Sequence, residues 1–111
     1  MISDSPEMSS RTVAILSLND ISNAAMQSIE QSGAMVMEAD LNPAFFDLKS
    51  GFAGEVLQKF VNYRARLAVI VYDQNSHGER FSELIYEHRT HPMVRFFATQ
   101  KEAQDWLTGS G

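Results

Sequence analysis

Cysteine is absent from the 111 residues. Disulfide scaffolds, thiolate metal sites and cysteine nucleophiles are excluded with it. Proline occurs only three times and glycine six, and no Pro- or Gly-rich linker, repeat or low-complexity tract interrupts the chain. Cations are scarce: nine Lys and Arg stand against fourteen Asp and Glu, for a net charge of −5. Such a chain has no general pull on nucleic acid or on anionic lipid, so neither is an expected partner. Long apolar runs are also lacking. The longest is Leu67–Tyr72, far short of a membrane span. No basic segment precedes an apolar stretch near Met1, so no secretory signal is read and a cytoplasmic location is expected.

What is present is ordinary globular composition, 44% apolar and 21% charged. The length fits one domain that buries roughly 65% of its unfolded surface. Residues 1–11 are rich in Ser, Asp and Pro without periodicity and read as a flexible tail. The expected single domain is 12–108. The charge is lopsided. Residues 1–55 carry Arg11 and Lys49 against eight carboxylates, and residues 56–111 carry seven cations against six. Solubility is the simplest reading of that polarity.

The periodicity alternates between strand and helix. Thr12–Leu18 reads as a first strand, and Asp20 as the N-cap of a helix carrying Ile21, Ala25 and Ile29, with Gly33 as its stop. Ala34–Ala39 is a second strand, broken by Asp40-Leu41-Asn42-Pro43. Ser50–Tyr63 is a helix with Phe52, Val56 and Phe60 on one face. Leu67–Tyr72 is a third strand, apolar on both faces and therefore expected to be central. Ser76 and Glu79 read as a capping box before Phe81, Leu84, Ile85 and His88. Met93–Ala98 is a fourth strand. Thr99 and Glu102 form a second capping box before Ala103, Trp106 and Leu107. This alternation predicts an α/β three-layer sandwich: a four-stranded, mainly parallel sheet with helices on both faces. The expected strand order is 2-1-3-4, which buries the third strand.

The stretch Phe45-Phe46-Asp47-Leu48-Lys49-Ser50-Gly51-Phe52-Ala53-Gly54-Glu55-Val56-Leu57-Gln58-Lys59-Phe60 runs on into Asn62-Tyr63-Arg64-Ala65-Arg66-Leu67-Ala68. It closely resembles the core signature of a small bacterial family, domain of unknown function 4180. Ile85-Tyr86-Glu87 and Phe96-Phe97 resemble that family's tail. The resemblance covers roughly residues 40–107. It departs at the start, where family members open with an extra strand and this chain has a polar tail. It implies kinship and no particular activity. More distantly, Asp47-Leu48-Lys49-Ser50-Gly51, after the second strand, is similar to the Asp-x-Ser-Gly-like turn of the STAS (anti-sigma-antagonist) domain. The Asp–Ser spacing differs from that family's pattern. The likeness is one of fold, which does not fix function.

Ser50-Gly51 at a helix N-terminus is the leading candidate site. Free N–H groups there suit an anion or a phosphoryl group on Ser50, with Lys49 as counter-charge and Asp47 opposing. The plainer reading is a capping serine. Asp20, Asp73, Ser76 and Thr99 follow strand ends, where ligands gather in parallel sheets. Asp20 and Asp73 could hold magnesium, but capping explains Asp20, Ser76 and Thr99 without a metal. His88 and His91, beside Glu87, have zinc-compatible spacing but no third ligand. His77 is a lone loop histidine without a signal. Phe45-Phe46 reads either as a lid on the core edge or as an interface anchor, and a homodimer is expected through it. Nucleophile elbow, P-loop and dinucleotide fingerprints are missing. No cofactor is expected. The resulting expectation is a non-catalytic, STAS-like regulatory or partner-binding domain with an anion site at Ser50. The alternative is a small-ligand-binding protein or minor enzyme using carboxylates and hydroxyls at the strand ends.

Overall fold

A computed structural model describes residues 11–108. The tail expected over residues 1–11 lies, except for Arg11, outside the described residues. Four strands alternate with four helices: β1 Thr12–Ile15, α1 Leu18–Gln31, β2 Ala34–Leu41, α2 Phe52–Tyr63, β3 Leu67–Ile70, α3 Glu79–Glu87, β4 Val94–Phe97 and α4 Gln100–Leu107. Two short 3-10 turns, Pro43–Phe46 and Leu48–Ser50, join β2 to α2.

All neighbouring strands are parallel, and their order is β1-β2-β3-β4. The α/β class and the internal place of β3 are as expected, but the order 2-1-3-4 is corrected: β1 is an edge strand. The reason lies in β2. It is eight residues long and pairs with β1 through Met35, Val36 and Leu41 and with β3 through Ala34–Met37. Each strand thus adds beside its predecessor.

A sequential order with crossovers of one hand sends successive helices to the same face. The packing follows that rule. Ile21, Ala24 and Ala25 of α1, Phe52, Val56 and Phe60 of α2, and Phe81 and Ile85 of α3 share one core with Val13, Val36, Leu67, Val69 and Val94. The opposite face carries only α4, whose Ala103 and Leu107 pack on Met35, Ala68 and Ile70. The helices therefore lie on both faces, three against one. Val69 and Val71 face one layer, and Ala68 and Ile70 the other, as period two requires. Tyr72 turns out to solvent.

Close approach fixes one residue type. Gly33, at φ +128°, lies against α4, and a Cβ there would meet Leu107 Cδ2 at 2.6 Å. Arg66 closes the same corner. Its guanidinium donates to Leu107 O at 2.8 Å, Trp106 O at 3.2 Å and Ser32 O at 3.2 Å, neutralising the carboxyl ends of α4 and α1 together.

Three helix starts differ from expectation, that of α2 lying after Gly51 and not at Ser50. α1 begins after Ser17, and Asp20 sits in its first turn, accepting from Leu16 N at 2.9 Å and Ser17 N at 3.1 Å. α3 begins after Gly78, at φ +97°. Ser76 is not its cap. The Asp73 carboxylate accepts from Asn75 N, and Ser76 Oγ donates to Asp73 O, so this stretch folds as its own turn. Thr99 caps α4 as expected, accepting from Glu102 N at 3.2 Å.

Candidate functional site at the carboxyl edge of the sheet

In a parallel sheet every strand leads out of the same edge, and loops there carry ligands. Here β2 delivers the two 3-10 turns and β3 delivers the loop before α3. A cleft of about 290 Å³ opens between them, lined by Phe46, Asp47, Leu48, Lys49, His77, Arg80 and Phe81.

The first wall is built by local capping. Asn42 Oδ1 accepts from Ala44 N at 2.8 Å, and Asn42 Nδ2 donates to Leu16 O at 2.8 Å, tying the turn to the end of β1. Asp47 Oδ1 accepts from Lys49 N at 3.1 Å and starts the second turn. Ser50 Oγ donates to Ala44 O at 2.6 Å and accepts from Phe52 N at 3.1 Å. Ser50 therefore precedes Gly51, the N-cap of α2, whose φ of +81° makes the bend.

The second wall is held by His77. Its Nε2–H donates to Glu38 Oε2 at 2.7 Å. Its ring stacks on Phe46 with centroids 3.8 Å apart and planes 12° apart. Phe81 meets Phe46 edge-on at 5.1 Å. β2 outruns β3, whose pairing ends at Met37↔Ile70, so Glu38 is the first β2 residue free to face the loop after β3. With Nε2–H given to Glu38, Nδ1 is the ring nitrogen left for a further partner. Lys49 and Arg80 supply the positive charge of the cleft, and Asp47 an opposing carboxylate.

Of the sequence candidates, the fold brings Asp47, Lys49 and Phe46 into this cleft, with Ser50 and Gly51 directly behind them. Phe45 is corrected as an interface anchor. It is fully buried, packed against Phe81 at 5.8 Å and Phe96 at 6.3 Å, so it offers nothing to a partner and serves as the lid on the core. Phe46 is half-buried under His77. Asp20 and Thr99 serve separate helix starts, and Asp73 and Ser76 share one turn. His88 Nδ1 bonds to Leu84 O at 2.9 Å, and His91 Nδ1 accepts from Met93 N and Val94 N at 3.0 and 3.1 Å. Burial first, then His88 and Arg95, hold the His91 pKa below its ordinary value. Among the described residues, no group of three or more His, Asp or Glu is placed to hold a metal ion. None of the described helices is long and apolar enough to cross a membrane.

His77, Glu38 and Arg80 were not legible as a site. His77 and Glu38 lie on different elements, 39 residues apart. The only usable signal was that β2 turns charged at Glu38.

A profile of the family described as Domain of unknown function (DUF4180) matches residues 4–107. The chain belongs to the DUF4180 family. The match takes in all four strands and all four helices, and so the whole cleft of this DUF4180 domain. The description names a domain and no reaction. No curated protein and no solved structure matches the chain. The STAS likeness, read from the strand–helix–strand order and the Asp47–Gly51 turn after it, is not confirmed by the family match.

Proposed function

We propose that this DUF4180 domain is a non-catalytic regulatory module that binds a small anionic ligand in the cleft between the Phe46–Lys49 turn and the His77–Phe81 segment. The observation that carries it is the placing of the cations Lys49 and Arg80 in one concave opening walled by Phe46 and His77, in a chain of net charge −5. Cations collected in a concavity of an acidic protein focus field on anions. Phe81 is buried beneath the cleft, and the half-buried ring of Phe46 is the apolar wall that favours a ligand with an apolar part next to the charge.

The serine hydroxyls at this edge support binding over catalysis. Ser50, Ser76 and Ser82 all donate to backbone carbonyls. Modification of Ser50 would first have to break its bond to Ala44 O, so a free anion suits the cleft better than a phosphoserine.

A second reading rests on the His77–Glu38 pair. A carboxylate orienting an imidazole is also the arrangement of a general base. Under that reading, a ligand that binds is also turned over.

Calorimetric titration with inorganic phosphate and with phenyl phosphate distinguishes these outcomes. Binding of phenyl phosphate above phosphate, weakened at least about tenfold in Lys49→Ala/Arg80→Ala, supports the module. Equal heats in wild type and variant contradict it. Release of phosphate from phenyl phosphate that stops in His77→Ala favours the second reading.

A further inference from the structure

β4 is an edge strand with one side unpaired. The hydrogen bonds Leu67 N–H to Met93 O and Val71 N–H to Phe97 O fix which groups face β3. By the period of two, the backbone groups of Val94 and Phe96 face outward. Val94 N–H is already taken by His91 Nδ1 at 3.1 Å. Among the described residues, no hydrogen bond takes up the N–H or C=O of Phe96. Val94 is fully buried and Phe96 is 8% exposed, so the unpaired backbone at Phe96 is the part of this edge open to strand addition.

The edge is flanked by a cleft on each face. One of about 560 Å³ is lined by Gln74, Arg95, Phe97, Glu102, Asp105 and Trp106, among others, on the α4 side. One of about 300 Å³, lined by Ser82, Tyr86 and Arg89 among others, lies on the α3 side. Both reach Gln74 and Phe96. A strand added beside β4 projects alternate side chains to opposite faces, one set into each cleft.

The charges name the occupant. Arg95 of β4 and Glu102 of α4 line the same cleft, so the surface carries both halves of an ion pair and is complementary to itself. An antiparallel pairing centred on Phe96 exchanges both Phe96 hydrogen bonds across a two-fold axis. It sets Val94 opposite Ala98 and Arg95 opposite Phe97 of the second copy. Arg95 Nε–H donates to its own His91 O at 2.7 Å and the guanidinium lies over its own Trp106 ring, which leaves its Nη groups for Glu102 of the second copy. The blocked Val94 N–H lies outside the central pair and does not obstruct it. We propose that the free edge of β4 pairs antiparallel with the same edge of a second copy, joining two four-stranded sheets into one. This is independent of the anion cleft, which opens between the β2–α2 turns and the β3–α3 loop.

Sedimentation equilibrium at about 100 μM, where a micromolar interface is largely occupied, reads the state directly. A dimer is expected. Arg95→Glu should raise its dissociation constant at least about tenfold, and Arg95→Glu/Glu102→Arg should restore it. A monomer at that concentration overturns the proposal, as does a dimer indifferent to Arg95→Glu. If Arg95→Glu fails to fold, a cross-link decides. The chain has no cysteine, and directly opposed positions in an antiparallel pair lie within disulfide reach. Arg95→Cys/Phe97→Cys should oxidise to a covalent dimer that reductant reverses. Failure to cross-link, or a phenyl phosphate affinity lost in step with dimerisation, overturns the independent edge interface.

Discussion

His77 and Glu38 stand 39 residues apart in sequence and 2.7 Å apart in space. Their bond ties the loop after β3 to the end of β2 and sets the width of the cleft between them. The pair is part-buried, and a charge-assisted bond there should give a coupling of about 1 kcal/mol. A double-mutant cycle of His77→Ala with Glu38→Gln, read by urea denaturation, measures it. Additive single changes would mean that the contact does not hold the loop.

Gly33 and Leu107 make the sharpest packing test. Gly33→Ala both strains a backbone at φ +128° and drives a Cβ into Leu107 Cδ2. The expected loss is about 2 kcal/mol or more. Leu107→Ala, itself destabilising, should make the further cost of Gly33→Ala smaller. A Gly33→Ala protein as stable as wild type would refute the close approach.

Ile70 is fully buried between β2 and β4, under α4. Ile70→Asp places an unpaired carboxylate there, and the variant should not fold at neutral pH. Circular dichroism and a thermal melt check this. A cooperative melt near that of wild type would contradict the assigned place of β3.

His91 ties pH to stability. Its pKa is held below the ordinary 6.5 by burial, His88 and Arg95, so the folded chain binds fewer protons there than the unfolded chain. Stability should be complete above about pH 6.5 and fall as pH drops through the lowered folded value. Protonated Nδ1 can no longer accept from Met93 N and Val94 N. Urea midpoints between about pH 8 and pH 5 should decline less in His91→Gln than in wild type. Parallel declines would show that His91 is not responsible.

The fold was legible where local chemistry and burial agree. Leu67–Ile70 is apolar on both faces because it is an inner strand covered by helices on each side, and the sequence carries that directly. Thr99 caps α4 because nothing competes with it. Ser76 failed as a cap because Asp73 and Asn75 take the chain into a turn first. The strand order was missed because the apolarity of β3 fits either order. What separates them is the length of β2, whose last residues Asp40 and Leu41 read as a break in the sequence. In the site, Asp47, Lys49 and Ser50 are adjacent in sequence and were found together. His77 and Glu38 become partners only after β2 outruns β3, a tertiary fact with no local signature. Phe45 and Phe46 look identical in sequence, yet the tight turn sends one ring inward and leaves the other beneath His77.

Lys49 and Arg80, beside His77, are proposed to hold an anion in the cleft. An amide-resolved magnetic-resonance titration with phenyl phosphate tests it most directly. Shifts should concentrate at Lys49, His77 and Arg80, saturate together, and vanish in Lys49→Ala/Arg80→Ala. Shifts scattered over the surface, or confined to the Arg95–Trp106 cleft, would contradict it.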